Sequence, residues 1–198
     1  HKTAPYRDAD GNSFDPAKFA GKADFPKLSA TKSFAKQPSV PSSLANAKSP
    51  AFLNDVTNYH NRGDSTWSGT SVFDGDFMGL DDVFTEKPEV VAGWIKVWSD
   101  WIRNFGIDGF RIDTAKHVNP EFWREFIPAI LKTAKSVGKT DFPIYGEIFD
   151  SNPIETSKFV REQSFPGVLD FPFQSTITNF VTSDGGAEKL VELFNADD

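Results

Sequence analysis

The sequence predicts an α/β fold: about three strand–helix units on a parallel sheet, preceded by a loop-rich region. Three observations predict it. Apolar residues recur at helical spacing from Val90 to Phe105 and again from Phe122 to Val137. Short apolar runs at Ile107–Asp113 and Ile144–Ile148 alternate with those helices, the pattern of a parallel sheet. From His1 to about Gly79 no helical period is sustained, and Pro16, Pro26, Pro38, Pro41 and Pro50 punctuate a stretch rich in Ser, Asn, Asp and Gly.

Element by element, the first region reads as a small irregular subdomain with a few short strands, since a structureless loop of that length is out of place in a compact domain. It is least orderly from Lys32 to Lys48. Asp8-Ala9-Asp10-Gly11-Asn12 reads as an Asp-Gly turn rather than a calcium loop, because its Gly stands at the wrong offset for an EF-hand. The pattern changes at Thr85, which divides the chain into residues 1–84 and 85–198. Thr85 is the expected cap of the first long helix, with Pro88 and Glu89 in its first turn and Gly106 at its stop. Ile107 to Asp113 follows as a buried strand. Asn119-Pro120-Glu121 opens the second helix, which Gly138 ends and Pro128 is expected to kink or split. Ile144–Ile148 is the next strand, Pro153–Arg161 a short helix, Val168–Phe171 a third strand and Ala187–Phe194 a final helix. These units are too few to close an eight-stranded barrel. If the fold is a barrel, the chain holds an arc of it.

Composition narrows the function. A formal charge of −7 argues against nucleic acid and anionic membrane as partners, and favours a neutral molecule. No apolar run is long enough to span a bilayer. With no Cys, disulfides, thiolate metal sites and cysteine nucleophiles are excluded. Most of the 20 Phe and 5 Trp are accounted for by core packing, although aromatic faces also bind sugars.

Two segments carry the chemistry: Gly109-Phe110-Arg111-Ile112-Asp113-Thr114-Ala115-Lys116-His117 and Tyr145-Gly146-Glu147-Ile148-Phe149-Asp150. Each ends a strand on a carboxylate, and one helix fills the 34-residue step from Asp113 to Glu147. In a strand–helix–strand unit both strands run the same way, so both carboxylates come to one end of the sheet. Two facing carboxyl groups are what glycoside hydrolysis requires: one ionised as nucleophile, the other protonated as acid, its proton held by the neighbouring negative charge. Arg111, two residues before Asp113 and on the same strand face, is placed to keep that Asp ionised. A purely structural Arg/Asp pair at a strand end is the alternative.

Together these segments resemble the α-amylase family of glycoside hydrolases, family 13. Its second motif, G-F-R-x-D-x-x-K-H, is matched at Gly109, Phe110, Arg111, Asp113, Lys116 and His117, and its third, G-E-x-F-D, at Gly146, Glu147, Phe149 and Asp150. The similarity runs from about Asn54 to Phe173, and the Tyr59-His60-Asn61-Arg62-Gly63-Asp64 stretch looks like the subdomain inserted after the third barrel strand. The resemblance implies a partial (β/α)8 TIM barrel, about strands four to six, behind a loop-rich inserted subdomain. It makes Asp113 the nucleophile, Glu147 the general acid/base and Arg111 the orienting residue. Lys116, His117 and Phe149 would face substrate. Trp67 is placed either to stack on a sugar or simply to pack, and His60 either to donate to substrate or to serve the subdomain.

Leu80-Asp81-Asp82-Val83-Phe84-Thr85 resembles the family's L-P-D-L-N-T motif, which implies structural Ca²⁺ at Asp82 with the His117 carbonyl; an acidic helix lead-in is the alternative. The implied partner is an α-glucan polysaccharide or oligosaccharide, together with the remainder of the barrel, and the implied location is extracellular. The family's first motif ends in Asn-His, of which His1 resembles a last trace. Its fourth, with a third catalytic carboxylate, would fall beyond Asp198, so residues 1–198 alone are expected to be inactive. A transglycosylase or branching-type relative, and a non-catalytic barrel used for binding, are the rival readings.

Overall fold

The structure is a computed structural model that describes residues 3–182 and 186–197. His1, the expected last trace of the family's first motif, lies outside them. A hairpin of β1 (Tyr6–Arg7) and β2 (Ser13–Phe14) opens the chain, with Tyr6 opposite Phe14. Its turn is the predicted Asp-Gly one. Asp8 Oδ1 accepts from the backbone amides of Asp10 and Asn12 at 2.9 and 2.8 Å, and these bonds, with the one from the Asn12 side chain, hold the carboxyl below its usual range. The first region builds its own small core from Tyr6, Phe34 and Phe84, flanked by Phe14, Phe25 and Leu28. One helical turn, α1 (Ser71–Asp74), follows.

The first long helix, α2, spans Pro88–Phe105 and ends on Gly106 in the left-handed conformation. Thr85 does not cap it. Pro88 forces the residue before it into extended backbone, so Lys87 takes the cap position, and the Thr85 hydroxyl bonds the Asn119 side chain instead. Asn119 precedes α3 (Pro120–Ser136) as predicted, yet its side chain bonds those of Thr85 and Glu121 rather than a backbone amide of the helix. Pro128 neither ends nor divides α3. It sits on the exposed side, while Phe126, Ile127 and Ile130 on the inner side are buried and hold the helix continuous.

The parallel sheet has the order β3 (Phe110–Ile112), β4 (Ile144–Gly146), β5 (Gly167–Val168). α2 and α3 cover it, joined across their contact by a buried Ser99–Thr133 hydroxyl bond of 3.0 Å. Ile127, Ile130, Ile144 and Ile148 are fully buried, each contributing about 1.5–3 kcal/mol. α4 (Pro153–Gln163) extends two residues past its expected end. The third strand stops at Val168, and Phe171 begins a helix, α5 (Phe171–Thr182), in place of ending a strand. The signal was present in the sequence: Asp170 accepts from the Phe173 amide at 2.8 Å, and Pro172 suits a first turn. α6 (Glu188–Asp197) closes the described chain.

Gly146 shows how tightly the sheet is packed behind the site. A Cβ there would stand 2.7 Å from the ring of Phe165, itself buried. Gly146→Ala is expected to lower unfolding free energy by about 1–3 kcal/mol, read from a shifted denaturant midpoint.

Candidate active site

Register sets the geometry. β3 and β4 pair with Arg111 opposite Tyr145 and Ile112 opposite Gly146, so Asp113 and Glu147 leave the sheet side by side, one residue beyond their strands. The Glu147 amide still donates to the Ile112 carbonyl at 2.8 Å, fixing the start of its side chain.

Arg111 joins the two carboxylates. One terminal nitrogen of its guanidinium meets Asp113 Oδ1 at 2.7 Å and the other meets Glu147 Oε1 at 3.0 Å. Glu147 Oε2 accepts from the Thr114 amide at 3.0 Å. Hydrogen bonding to Arg111, and next to Glu147, holds the Asp113 carboxyl below its usual range, so Asp113 stays ionised; Arg111 is raised in return. One guanidinium thus bonds both carboxylates and holds them at the same end of the sheet. Exposure separates them: the Asp113 side chain is 69% exposed and that of Glu147 23%.

Thr114 was not singled out by the sequence. It has φ +46, in the left-handed region that a β-branched residue seldom enters, and this turn is what aims its amide at Glu147. Only the oddity of a Thr directly after a strand-ending Asp could have flagged it.

The remaining predicted residues divide. Lys116 reaches across to the next strand's loop, where its ammonium bonds Asp150 Oδ2 at 2.8 Å and the Phe149 carbonyl at 3.2 Å. It braces the rim, and with that bond Asp150 is held below its usual carboxylate range. Phe149 is 74% exposed and touches Phe171 edge-on. The His117 Nδ1 donates to the Val72 carbonyl at 3.2 Å, and its ring packs against Trp67 and Phe77. Trp67, Asp82, Asp113 and His117 line one cavity of about 250 Å³.

His60 corrects an expectation. It is fully buried and cannot touch substrate. Its Nδ1 lies 2.6 Å from Asp82 Oδ2 and its Nε2 2.8 Å from Glu86 Oε2, and those two carboxylates outweigh burial to push the imidazole up to about 10. The Asp82 carbonyl is taken as well, accepting from the His60 amide at 2.9 Å. Calcium asks for six to eight oxygen ligands. Among the described residues no group of three or more His, Asp or Glu is arranged to hold a metal, and Asp82 already serves a buried cation. The residues present do not fit a resident Ca²⁺ at Asp82 and His117, and no catalytic step runs through one.

Residues 17–198 match the family model described as alpha amylase, catalytic domain. The chain belongs to the α-amylase family. It is 44% identical over 194 residues to an alpha-amylase of Streptomyces lividans, covering 98% of this chain and 21% of that protein. The α-amylase fold is matched in the solved Anoxybacillus alpha-amylase with a TM-score of 0.63, at 30% identity over 73% of this chain and 32% of that one. The Geobacillus thermoleovorans alpha-amylase, solved with acarbose, gives 0.56 at 28% identity over 64% and 28%. The chain therefore spans about a fifth of the first relative and about a third or less of these structures. Among the described residues no helix is long and apolar enough to cross a membrane.

Proposed function

We propose that this chain supplies the nucleophile and the acid/base of a retaining α-glucan hydrolase, acting within a complete (β/α)8 barrel of which residues 85–198 are the arc of about strands four to six, with residues 1–84 as the inserted subdomain. The observation that carries the reading is one guanidinium, Arg111, bonded to both strand-end carboxylates. Membership of a family whose relatives include an alpha-amylase and a cyclomaltodextrinase supports the substrate class. An extracellular site of action belongs to the same reading.

In this mechanism the ionised Asp113 attacks the anomeric carbon while Glu147 passes its proton to the departing glycosidic oxygen. A glycosyl ester on Asp113 results. Glu147, now a carboxylate, takes a proton from water, whose oxygen attacks the same carbon and frees Asp113. Arg111 keeps Asp113 ionised between turnovers. The Thr114 amide and Arg111 occupy both Glu147 oxygens, so an arriving glycosidic oxygen replaces one of these contacts. Lys116 acts by bracing the loop that carries Phe149, and His117 faces the leaving-group side.

Two inversions give net retention. Proton NMR of the complete protein hydrolysing maltoheptaose is expected to show the α-anomer first. Initial release of the β-anomer would overturn the assignment of Asp113 as nucleophile. The same products separate hydrolysis from transglycosylation, which would yield chains longer than the substrate.

A further inference from the structure

We propose that Gly167 is a positioning residue for Arg111: by carrying no side chain it lets the Tyr145 ring lie over β5, which leaves the space beside Arg111 free for its bridge to both carboxylates. The inference rests on the reading of Asp113 and Glu147 given above. Arg111, Tyr145 and Gly167 stand opposite one another across β3, β4 and β5. They form one row on the face of the sheet turned away from α2 and α3, since Ile112, Ile144 and Val168, which alternate with them, belong to the core on the helix side. Asp113 and Glu147 follow two residues on, along the same face. The row is the floor beneath the catalytic pair.

The glycine is not there for its backbone. Gly167 is outside the left-handed region, so other residues could adopt its conformation, and a glycine inside a strand weakens it unless something approaches closely. Here the Tyr145 ring does. A Cβ on Gly167 would stand 3.2 and 3.3 Å from Cδ1 and Cε1 of that ring, so the ring edge fills the place of the missing side chain. Tyr145 is 50% exposed, and the tight contact therefore serves the cleft, not the core. Direction follows from strand order. β5 lies on the far side of β4 from β3, so a ring leaning over β5 leans away from Arg111. With adjacent strands only about 4.8 Å apart, a phenol pushed back toward β3 crowds the guanidinium, whose two terminal nitrogens must reach Asp113 Oδ1 at 2.7 Å and Glu147 Oε1 at 3.0 Å.

The test compares the complete protein with Gly167→Ala, Gly167→Val, Tyr145→Val and the double variant of Gly167→Val with Tyr145→Val, measuring kcat/KM on maltoheptaose against pH, alongside melting temperature. Losses of about three-fold in Gly167→Ala and about ten-fold or more in Gly167→Val are expected, with Tyr145→Val within about three-fold of the parent. A guanidinium pushed off its bridge holds Asp113 less firmly ionised, so the acidic limb of the profile is expected at higher pH in Gly167→Val. Adding Tyr145→Val removes the ring that would be displaced. The double variant should then match Tyr145→Val to within about two-fold, its acidic limb back at the parent's position. If Gly167→Val does not fold, Gly167→Ala with and without Tyr145→Val carries the same comparison. An acidic limb unmoved in the Gly167 variants, or the same loss whether or not the ring is present, would overturn the proposal. Absence of hydrolysis by the parent itself would instead count against the reading of Asp113 and Glu147.

Discussion

Asp113→Asn in the complete protein is expected to reduce kcat on starch by about 10³-fold or more, with KM little changed. An amide oxygen is a far weaker nucleophile than a carboxylate, and the variant also gives up the ion pair that Arg111 makes at 2.7 Å. Glu147→Gln is expected to lose activity on the scale of general acid/base catalysis, about 10²–10⁴-fold, and the loss should depend on the leaving group. Maltosides with 4-nitrophenol as leaving group need little protonation and should retain much more activity than starch. Asp113→Asn should spare neither substrate, because the covalent step is common to both. The double variant should be scarcely slower than Asp113→Asn alone, since groups that act as one unit do not add. Steady-state rates on starch and the nitrophenyl substrate check all three, and full activity of either single variant would mean that the paired carboxylates are structural.

The pairing itself was legible because parallel register is nearly enforced once two strands flank one helix. Arg111 and Asp113 share a strand face by alternation alone, and the structure joins them. The third strand was legible only in part: Val168 is in it, whereas Asp170 and Pro172 already belong to the opening of a helix. Long-range polar contacts were not legible. Nothing local in Tyr59-His60-Asn61 announces that carboxylates 22 and 26 residues further on would enclose the imidazole. In the same way, Asp150 gave no sign of taking Lys116 from the substrate face of the cleft.

That enclosed imidazole carries the largest expected effect on stability. His60→Leu leaves the carboxylates of Asp82 and Glu86 confined without their cation, and breaking a buried pair this way costs about 3–5 kcal/mol. For a protein of this size a loss of that order corresponds to a melting temperature lower by roughly 10 °C. Adding Asp82→Asn and Glu86→Gln to His60→Leu should recover much of it, since no uncompensated charge then remains. The parent has its own pH signature. His60 is raised from 6.5 to about 10 in the folded state, so its contribution is complete below pH 6.5 and is lost as pH rises toward 10. Asp82 is raised by burial despite the pull of His60, which adds to the fall from just above 3.8. The causes differ while the direction is shared: Glu86 and Asp82 raise His60 against burial, whereas burial raises Asp82 against His60, and in both cases the folded chain holds its protons more tightly. Denaturant unfolding at pH 6 and pH 10 should show the parent losing stability across that interval and His60→Leu losing clearly less. Equal slopes in the two proteins would mean that His60 is neutral in the fold and that its carboxylate neighbours are balanced by other groups.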